Sequence, residues 1–366
     1  MPSGGKGGLG SRGAWDGGLL HCLLRPGPPG PSCEDAIRRF WRPVKHNLIL
    51  GLLALLDRLM RMLPLGAARA LGSGLGRVFY ACVPYERRKT LETLRRAYPG
   101  SDLAWRKETA AAVFGHLGRS AAEFFRLSAP ESAGPDAWVA EVEGFEHLER
   151  PVREGRGVVA VTAHFGHWEL LAAWVARRLP TAVVARQAYD PRLDAVLTAR
   201  RERNKITVFG RNTSVRPILR WLNEGKVLGV LADQDTGVDS LYVEFFGLPS
   251  KTPSGPAVLA QATGSDLVCG FCFRRPDGRY RLVFSPAIPV PPRAGGGALE
   301  LWGVVQEYTR RTEAAIREAP GLWAWNHARW RSDSAKASTG WDPRLAAGCL
   351  ERIAARRAAA GRAPQA

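Results

Sequence analysis

The fold at the centre of this chain is indicated most clearly by residues 157–179, GVVAVTAHFGHWELLAAWVARRL. Its apolar run from Val158 to Ala163 has the length and β-branched content of a buried strand, and it stops at His164. A helical pattern begins by about Trp168. The segment therefore predicts a strand that leads directly into a helix. Open α/β sheets place their functional residues at such a turn.

The turn itself, His-Phe-Gly-His-Trp-Glu, carries groups suited to acid–base chemistry. His164 ends the predicted strand, and Glu169 follows in the first turn of the helix. A histidine beside a carboxylate can deprotonate a hydroxyl near neutral pH, and a helix N-terminus attracts anions. Gly166 would let a substrate approach the backbone closely. A helix cap with a hydrogen-bonded structural histidine explains the same residues equally well, so both interpretations stay open.

Residues 155–290 alternate between strand and helix patterns, which predicts an α/β fold with a mostly parallel central sheet flanked by helices. Asp277-Gly278 separates two adjacent strands, which predicts a hairpin at one edge of the sheet. The further predicted strands are 182–186, 227–232, 267–273 and 280–284, and the further predicted helices are 191–203, 215–222, 253–262 and 297–319.

Four regions are expected along the chain. Residues 1–34 are rich in Gly, Pro and Ser and predict a disordered tail. Residues 35–130 carry helical Leu and Ala patterns and are expected to form a membrane-associated helical region. Residues 131–335 form the predicted α/β domain. The polar residues 336–366 are expected to form a tail that frays.

The segment HNLILGLLALLDRLMRMLPLG, residues 46–66, bears on membrane contact. Its uninterrupted apolar part is too short to span a bilayer, because a spanning helix needs about 20 apolar residues. As one helix it would place Arg58 near Arg61 and present a wide leucine face, which is typical of a helix lying on a membrane. An ordinary core helix is the alternative. No secretory signal is evident.

Composition constrains the partners more than the fold. The net charge of +18 is compatible with nucleic acid, anionic lipid or an acidic protein. Cys269 and Cys272 form a CxxC inside a predicted strand, and no second pair follows. We therefore expect reduced cysteines and no zinc site.

A second acidic cluster is predicted beside His164. The segment LADQDTGVDSLYVEFFGLPSKTPSG, residues 231–255, begins where another parallel strand ends, so Asp233 and Asp235 should share an edge of the sheet with His164. Phe245 and Phe246 are expected in an exposed loop that helps to shape a groove for a hydrocarbon chain. A turn with a hydrophobic plug is the alternative.

Two basic segments have several possible meanings. Arg200, Arg201 and Arg203, with Arg186 upstream, would hold phosphates at the mouth of the site or form a solvated helix face. In LWAWNHARWRS, residues 322–332, tryptophans alternate with basic residues. That pattern suits nucleic-acid stacking, a membrane-interface belt or a packed structural corner.

As a set, these motifs resemble the lipid A biosynthesis (lauroyl/myristoyl) acyltransferase family, within the lysophospholipid acyltransferase superfamily. The resemblance runs from about Leu48 to Trp330, and it rests on the order and spacing of the pieces. These are ERRKTLETLRRAYPG (86–100), EGFEHL (143–148), AHFGHWEL (163–170), the arginines of 200–203, DQDTG with FFGLPSKTPSG (233–255) and WAWNHARW (323–330).

The resemblance implies transfer of an acyl chain to a hydroxyl of a membrane glycolipid such as a lipid A precursor. Acyl carrier protein or acyl-CoA would be the co-substrate, with no metal or other cofactor, at the cytoplasmic face of a bacterial inner membrane. The enzyme would lie on one face of that membrane or be anchored by its N-terminal segment.

The resemblance also implies roles for individual residues. His164 would be the general base, Glu169 its partner and Asp233 a supporting acid. The residues expected to contact substrate are Arg201, Arg203, Gly166, Gln234, Asp235, Phe245 and Phe246.

The sequence departs from the family at His167, where the family usually has Asn. Two other functions stay open on the residues alone. One is a metal-dependent hydrolase with His164, His167 and Glu169 as ligands, completed by Asp233 or Asp235. The other is a basic nucleic-acid-binding protein, although the basic residues are spread along the chain rather than grouped in one module. With the family as the preferred interpretation, no nucleic-acid partner is expected.

Overall fold

The structure is a computed structural model, and parts of the predicted terminal tails lie outside the residues that it describes. Contacts within the chain divide it into two compact units, with the boundary between Leu53 and Ala54. The described residues are 33–129, 133–188, 190–211, 213–295, 297–332 and 343–360.

The described residues before 130 are helical, as their periodic Leu and Ala pattern predicts. Asp102 caps the last helix of this region, because its side chain accepts a hydrogen bond from the amide of Trp105 at 2.7 Å. Glycines bring two of the helices into close contact, since a Cβ on Gly76 would collide with the carbonyl of Phe114. The helices are α1 (Cys33–Met62), α2 (Leu65–Cys82), α3 (Pro84–Ala97) and α4 (Leu103–Leu127).

The leucine face predicted for the end of α1 divides into two parts. Leu56 and Leu63 pack beside Ala68 of α2, whereas Leu55 and Leu59 are exposed to solvent. Among the residues that the structure describes, no helix is both long and apolar enough to cross a membrane.

The central sheet follows the predicted α/β pattern. Its described strands have the order β1-β9-β8-β2-β5-β3-β4, and every neighbouring pair is parallel except β8 and β9. The strands are β1 (Val139–Glu143), β2 (Val158–Thr162), β3 (Thr181–Ala185), β4 (Ile206–Gly210), β5 (Val227–Leu231), β6 (Ser240–Phe245), β7 (Leu248–Pro253), β8 (Asp266–Arg274) and β9 (Tyr280–Phe284).

Helices cover both faces of the sheet, because alternate residues of each strand point to opposite sides. Val158 packs with residues of the helix that follows the HFGH turn, and Val159 packs in a second cluster with residues of later helices. The predicted fold class is confirmed. The helices are α5 (Glu146–Arg153), α6 (Trp168–Ala176), α7 (Pro191–Arg203), α8 (Arg216–Asn223), α9 (Gly255–Thr263), α10 (Trp302–Glu318) and α11 (Pro343–Ala360).

The prediction of an exposed loop around Phe245 and Phe246 is wrong. The segment forms an antiparallel hairpin, β6–β7, that turns at Phe246 and Gly247, both of which have positive φ. The two rings are 1% and 6% exposed, because they pack into an aromatic cluster with Trp325 and its neighbours. A run of apolar residues next to glycine indicated a loop, but the packing surface was supplied by distant parts of the chain.

Two further expectations are corrected. The β8–β9 hairpin does not form the edge of the sheet, since β1 pairs outside β9. The C-terminal segment is not simply a polar tail, because α11 buries Cys349 and Ile353. The charged, mostly exposed sequence of β1 hid the strand from periodicity analysis.

Candidate active site

The carboxyl ends of β2 and β5 bring His164 and Asp233 together. The Oδ1 atom of Asp233 lies 2.9 Å from Nδ1 of His164. Its Oδ2 atom accepts a hydrogen bond from the backbone N–H of the same histidine, also at 2.9 Å. The two strands are parallel neighbours, so the residues that follow them meet at one edge of the sheet. Two separate contacts therefore fix both the ring and the backbone of His164.

The electrostatic environment keeps the buried Asp233 ionised and lets the imidazole of His164 take up a proton more readily. Burial of the His164 ring opposes its protonation, but the charge of Asp233 and the hydrogen bond outweigh burial, so the pKa of His164 is raised. Burial also opposes ionisation of Asp233, yet His164 and the surrounding N–H donors hold the pKa of that carboxyl well below its usual range. The arrangement suits a base whose conjugate acid is stabilised by a fixed negative charge.

Glu169, the expected partner of His164, makes its direct contacts with a different residue. It forms a two-point ion pair with Arg201 of α7, with 2.6 Å between Oε1 and Nη2 and 3.1 Å between Oε2 and Nε. The pKa of Arg201 is raised, because this pair outweighs the effect of burial. Glu169 still acts on His164 through its charge. The guanidinium expected to contact phosphate is thus engaged by a carboxylate of the protein.

The turn between His164 and α6 is shaped by the protein's own backbone. Gly166 has φ of +57°, and a Cβ there would collide with the carbonyl of Cys272. The Nε2–H of His116 donates to the carbonyl of Gly166 at 3.0 Å. Glycine is required here for close packing between backbones, and this differs from the predicted approach of a substrate.

His167 caps α6. Its Nδ1 atom accepts a hydrogen bond from the amide of Leu170, and the residue is buried. Burial lowers the pKa of His167 to about 4. The ring is therefore neutral near physiological pH, and its role at the helix start is one that Asn also performs well.

A cavity of about 1050 Å³, called the site cavity below, opens beside His164. Its apolar part is lined by α6 residues such as Leu171 and Val175 and by the strand residues Ala160 and Gly229. Predicted site residues on its wall are His164, Glu169, Arg201, Gln234 and Asp235.

The other predicted substrate contacts lie away from this wall. Gly166, Phe245 and Phe246 are enclosed by the packing described above, and Arg203 is exposed near the end of α7. The predictions missed the placement of His327, Arg211 and Arg331, which also line the site cavity. Their motifs contain basic residues, but only the fold shows that these residues reach the cavity.

The tryptophan-rich segment forms a packed structural corner, which was one of its three interpretations. Trp323, Trp325 and Trp330 are 1%, 0% and 7% exposed, so their rings are not available for stacking on bases. The indole Nε1 of Trp323 donates to Oδ2 of Asp233 at 2.7 Å. No local pattern links Trp323 to Asp233, since 90 positions separate the two residues.

The ligands proposed for a metal-dependent hydrolase have three different partners. His164 faces Asp233, His167 faces the amide of Leu170, and Glu169 faces Arg201. Within the described ranges, no three His, Cys, Asp or Glu side chains are grouped so that they could hold a metal ion.

Comparison with known proteins agrees with the motif resemblance. The family model described as bacterial lipid A biosynthesis acyltransferase matches residues 40–332. The lipid A biosynthesis lauroyltransferase of Escherichia coli K12 is 26% identical over 280 residues, which cover 75% of this chain and 88% of that protein.

Two more relatives extend the comparison. A phosphatidylinositol mannoside acyltransferase of Mycolicibacterium smegmatis is 26% identical over 216 residues, or 58% of this chain and 68% of that protein. The lipid A biosynthesis palmitoleoyltransferase of Escherichia coli K12 is 27% identical over 195 residues, which cover 52% of this chain and 61% of that protein. The chain therefore belongs to the bacterial lipid A biosynthesis acyltransferase family and is an O-acyltransferase.

Proposed function

We propose that this enzyme transfers a fatty acyl chain from the thioester of acyl carrier protein or coenzyme A to a hydroxyl of a membrane glycolipid, such as a lipid A precursor. The observation that carries this proposal is the position of His164. Asp233 holds its Nδ1, and the ring lies on the wall of a largely apolar cavity. Nε2 is therefore the ring nitrogen left for the substrate.

In the proposed reaction, Nε2 of His164 removes the proton of the acceptor hydroxyl as the oxygen attacks the thioester carbonyl. The tetrahedral intermediate then collapses, the carbon–sulfur bond breaks, and the thiolate takes the proton from the imidazolium. The charge of Asp233 stabilises the imidazolium between these steps. α6 begins beside His164, and its N-terminal amides provide positive charge for the oxyanion.

The acyl chain occupies the site cavity in this proposal. Leu171 and Val175 form one apolar wall, and Ala160 and Gly229 leave room on the sheet side because their side chains are small or absent. Phe245 and Phe246, first expected to shape this groove, lie elsewhere in the core. The chain therefore binds between α6 and the sheet.

Free basic side chains at the cavity suit phosphorylated substrates. Arg186 and Arg211 follow the neighbouring strands β3 and β4 and are exposed, with no ion pair to a described residue. Guanidinium groups bind phosphate through paired N–H donors. The net charge of +18 also favours an acidic carrier protein and an anionic membrane.

We further propose that the enzyme works at the cytoplasmic face of a bacterial inner membrane and lies on that surface. Apolar side chains remain exposed near the end of α1, at Leu55, Leu59 and Met62, and on α2, at Val78 and Phe79. Such side chains insert into the boundary between headgroups and acyl chains. Arg58, which is exposed on the same part of α1, adds attraction to anionic lipid.

His164→Ala tests the proposed chemistry, with His147→Ala as the matched control. His147 is a partly exposed histidine of α5 and does not line the site cavity. Transfer from acyl carrier protein and from coenzyme A to lipid A precursors is measured with purified full-length protein. We expect His164→Ala to lower the rate by about 10²–10⁴-fold, while the control stays within about twofold of wild type. A near wild-type rate in His164→Ala would refute the assignment.

The same assay compares the two donors. Saturable transfer from only one of them identifies the donor, and an acceptor series without lipid A precursors shows whether another glycolipid is used. Absence of transfer to every glycolipid tested would contradict the proposed acceptor class.

A further inference from the structure

Asp233 is held by three N–H donors. Its Oδ1 atom faces Nδ1 of His164, and its Oδ2 atom accepts from the backbone of His164 at 2.9 Å and from Nε1 of Trp323 at 2.7 Å. The carboxylate is buried, and a buried carboxylate is stabilised as an anion by such donors. The indole N–H is thus one of the few contacts that fix the charge and the orientation of this group.

Trp323 is itself fixed on the HFGH turn. The amide of Gly166 donates to the carbonyl of Leu322 at 2.9 Å, and the amide of Ala324 donates to the carbonyl of His164 at 3.0 Å. These bonds form an antiparallel bridge between Phe165 and Trp323. The segment that carries the indole is therefore bonded to the backbone of the proposed base.

Aromatic packing fixes the ring plane of Trp323. Its centroid lies 4.6 Å from that of Trp325 and 5.7 Å from that of Phe245, both in edge-to-face contact. Phe245 of the buried β6–β7 hairpin thus supports the indole. A ring held in this way can aim its N–H at one carboxylate oxygen without searching other rotamers.

We propose that Trp323 is a positioning residue for acyl transfer, which orients Asp233, and through it His164, by the hydrogen bond from Nε1 to Oδ2. This inference rests on the proposed function of His164. Loss of the N–H frees the carboxylate to rotate about its χ2 torsion and leaves its negative charge less shared. His164 is then less well aligned, and the attraction between the carboxylate and the imidazolium grows.

The pH profile separates this role from simple packing. With Trp323→Phe, we expect kcat to fall by about tenfold or more with KM within about twofold. The acid limb of kcat/KM should also move upward by roughly half a pH unit, because His164 gains a less neutralised counter-charge. A purely structural role would lower the amount of folded enzyme and leave the acid limb in place.

Trp302→Phe is the matched control. Trp302 begins α10, is buried, and donates from Nε1 to the carbonyl of Tyr242 at 2.8 Å, so this variant also loses one buried hydrogen bond and the same ring volume. Its Nε1 bonds to a carbonyl of β6 and not to Asp233. We expect stability to fall but the acid limb to stay where it is in the wild type.

The charged and titratable groups that face His164 and Asp233 are retained in both variants, so only Trp323→Phe removes a hydrogen bond to Asp233. These groups are Glu169 at the start of α6, and His327 and Arg329 in the segment that follows Trp323.

An isostere keeps the test decisive if Trp323→Phe fails to fold. β-(3-Benzothienyl)alanine, introduced at position 323 by codon suppression, replaces only the indole N–H by sulfur. A lower kcat with a shifted acid limb in this protein supports the inference. An isosteric protein with wild-type kcat and an unmoved acid limb overturns it. His164→Ala distinguishes the two proposals, because an inactive His164→Ala with a wild-type isostere refutes the positioning role alone, whereas an active His164→Ala refutes both.

Discussion

Glu169 and Arg201 form a two-point ion pair that joins the start of α6 to α7 at the wall of the site cavity. Both side chains are mostly buried, with 15% and 19% of their area exposed. Glu169 therefore stabilises the turn through its bond to α7 and acts on His164 only through its charge. Asp233 makes the direct contact with His164. The roles of the two carboxylates are divided by geometry.

Breaking the ion pair between Glu169 and Arg201 should impair acyl transfer, because these side chains then no longer hold the wall of the site cavity in place. Arg201→Lys keeps the charge but loses the planar fork, and we expect a rate loss of about ten- to a hundredfold, equivalent to roughly 1.5–3 kcal/mol. Glu169→Gln should cost a similar amount, and the double variant should be little worse than either single one, because both remove the same contact.

Arg310→Lys is the control for that cycle. Arg310 makes the same two-point contact with Glu307, at 2.8 Å for each bond, on α10 and outside the site cavity. Initial rates of all four variants are measured at two ionic strengths. Equal, small effects at Arg201 and Arg310 would show that the pair does not support catalysis.

Asp233→Asn should move the acid limb of kcat/KM to lower pH. Asp233 raises the pKa of His164, so removal of its charge lowers that pKa and leaves the imidazole unprotonated in more acidic solution. The rate at the optimum should nevertheless fall by about 10²-fold or more, because the imidazolium loses its counter-charge. A full pH profile measures both effects, and an acid limb that rises or stays in place contradicts the assigned pair.

His167→Asn should make the fold less sensitive to acid. Burial holds the pKa of His167 at about 4, below the value of about 6.5 in an unfolded chain. Between these values the unfolded state binds the proton and the folded state does not. The free energy of unfolding therefore falls as the pH drops from about 6.5 towards 4. At pH 5 the substitution should recover about 1–2 kcal/mol.

Urea unfolding at pH 8 and pH 5 tests this for both proteins. Asn retains a side-chain oxygen for the amide of Leu170, so stability at pH 8 should change little. A variant that loses as much stability on acidification as the wild type would show that His167 does not contribute to acid sensitivity.

Filling the sheet side of the site cavity should shorten the preferred acyl chain. Gly229 lies in the middle of β5 opposite Ala160 of β2, and both line the cavity. Gly229→Val adds methyl groups where the proposed chain runs. We expect the relative rate with long acyl thioesters to fall about tenfold against short ones.

A series of thioesters of increasing length provides the internal control for this variant. A general loss of folding lowers every rate equally, whereas a shorter cavity changes the ratio. An unchanged chain-length profile in a folded Gly229→Val enzyme would place the acyl chain elsewhere.

Exposed leucines of α1 should carry membrane binding. Leu55→Glu combined with Leu59→Glu places two charges on the exposed apolar face, and we expect co-sedimentation with anionic phospholipid vesicles to fall about tenfold. The control combines Tyr85→Glu with Val142→Glu, two exposed positions outside this face. Equal loss in both proteins would show that the face has no special role.

Local sequence patterns were enough to predict the order and type of most elements. The predicted helix 191–203 and strand 280–284 agree with the structure residue for residue, and the predicted strands at 158–163 and 227–232 differ by one residue. Periodicity succeeds here because the side chains that define a buried face lie within a few positions of one another. The alternation of elements also predicted the parallel sheet, and hence the meeting of Asp233 with His164 at one edge.

The pairing of side chains at the site, by contrast, depends on how distant elements pack. Asp233 lies 69 positions from His164, Arg201 lies 32 from Glu169, and Trp323 lies 90 from Asp233. No local pattern reports such contacts, because they depend on strand order and on the direction in which each side chain leaves its element. The same reason hid the β6–β7 hairpin, whose apolar residues are buried by the distant tryptophans and α10. Local spacing specified the elements, whereas packing between distant elements specified the site.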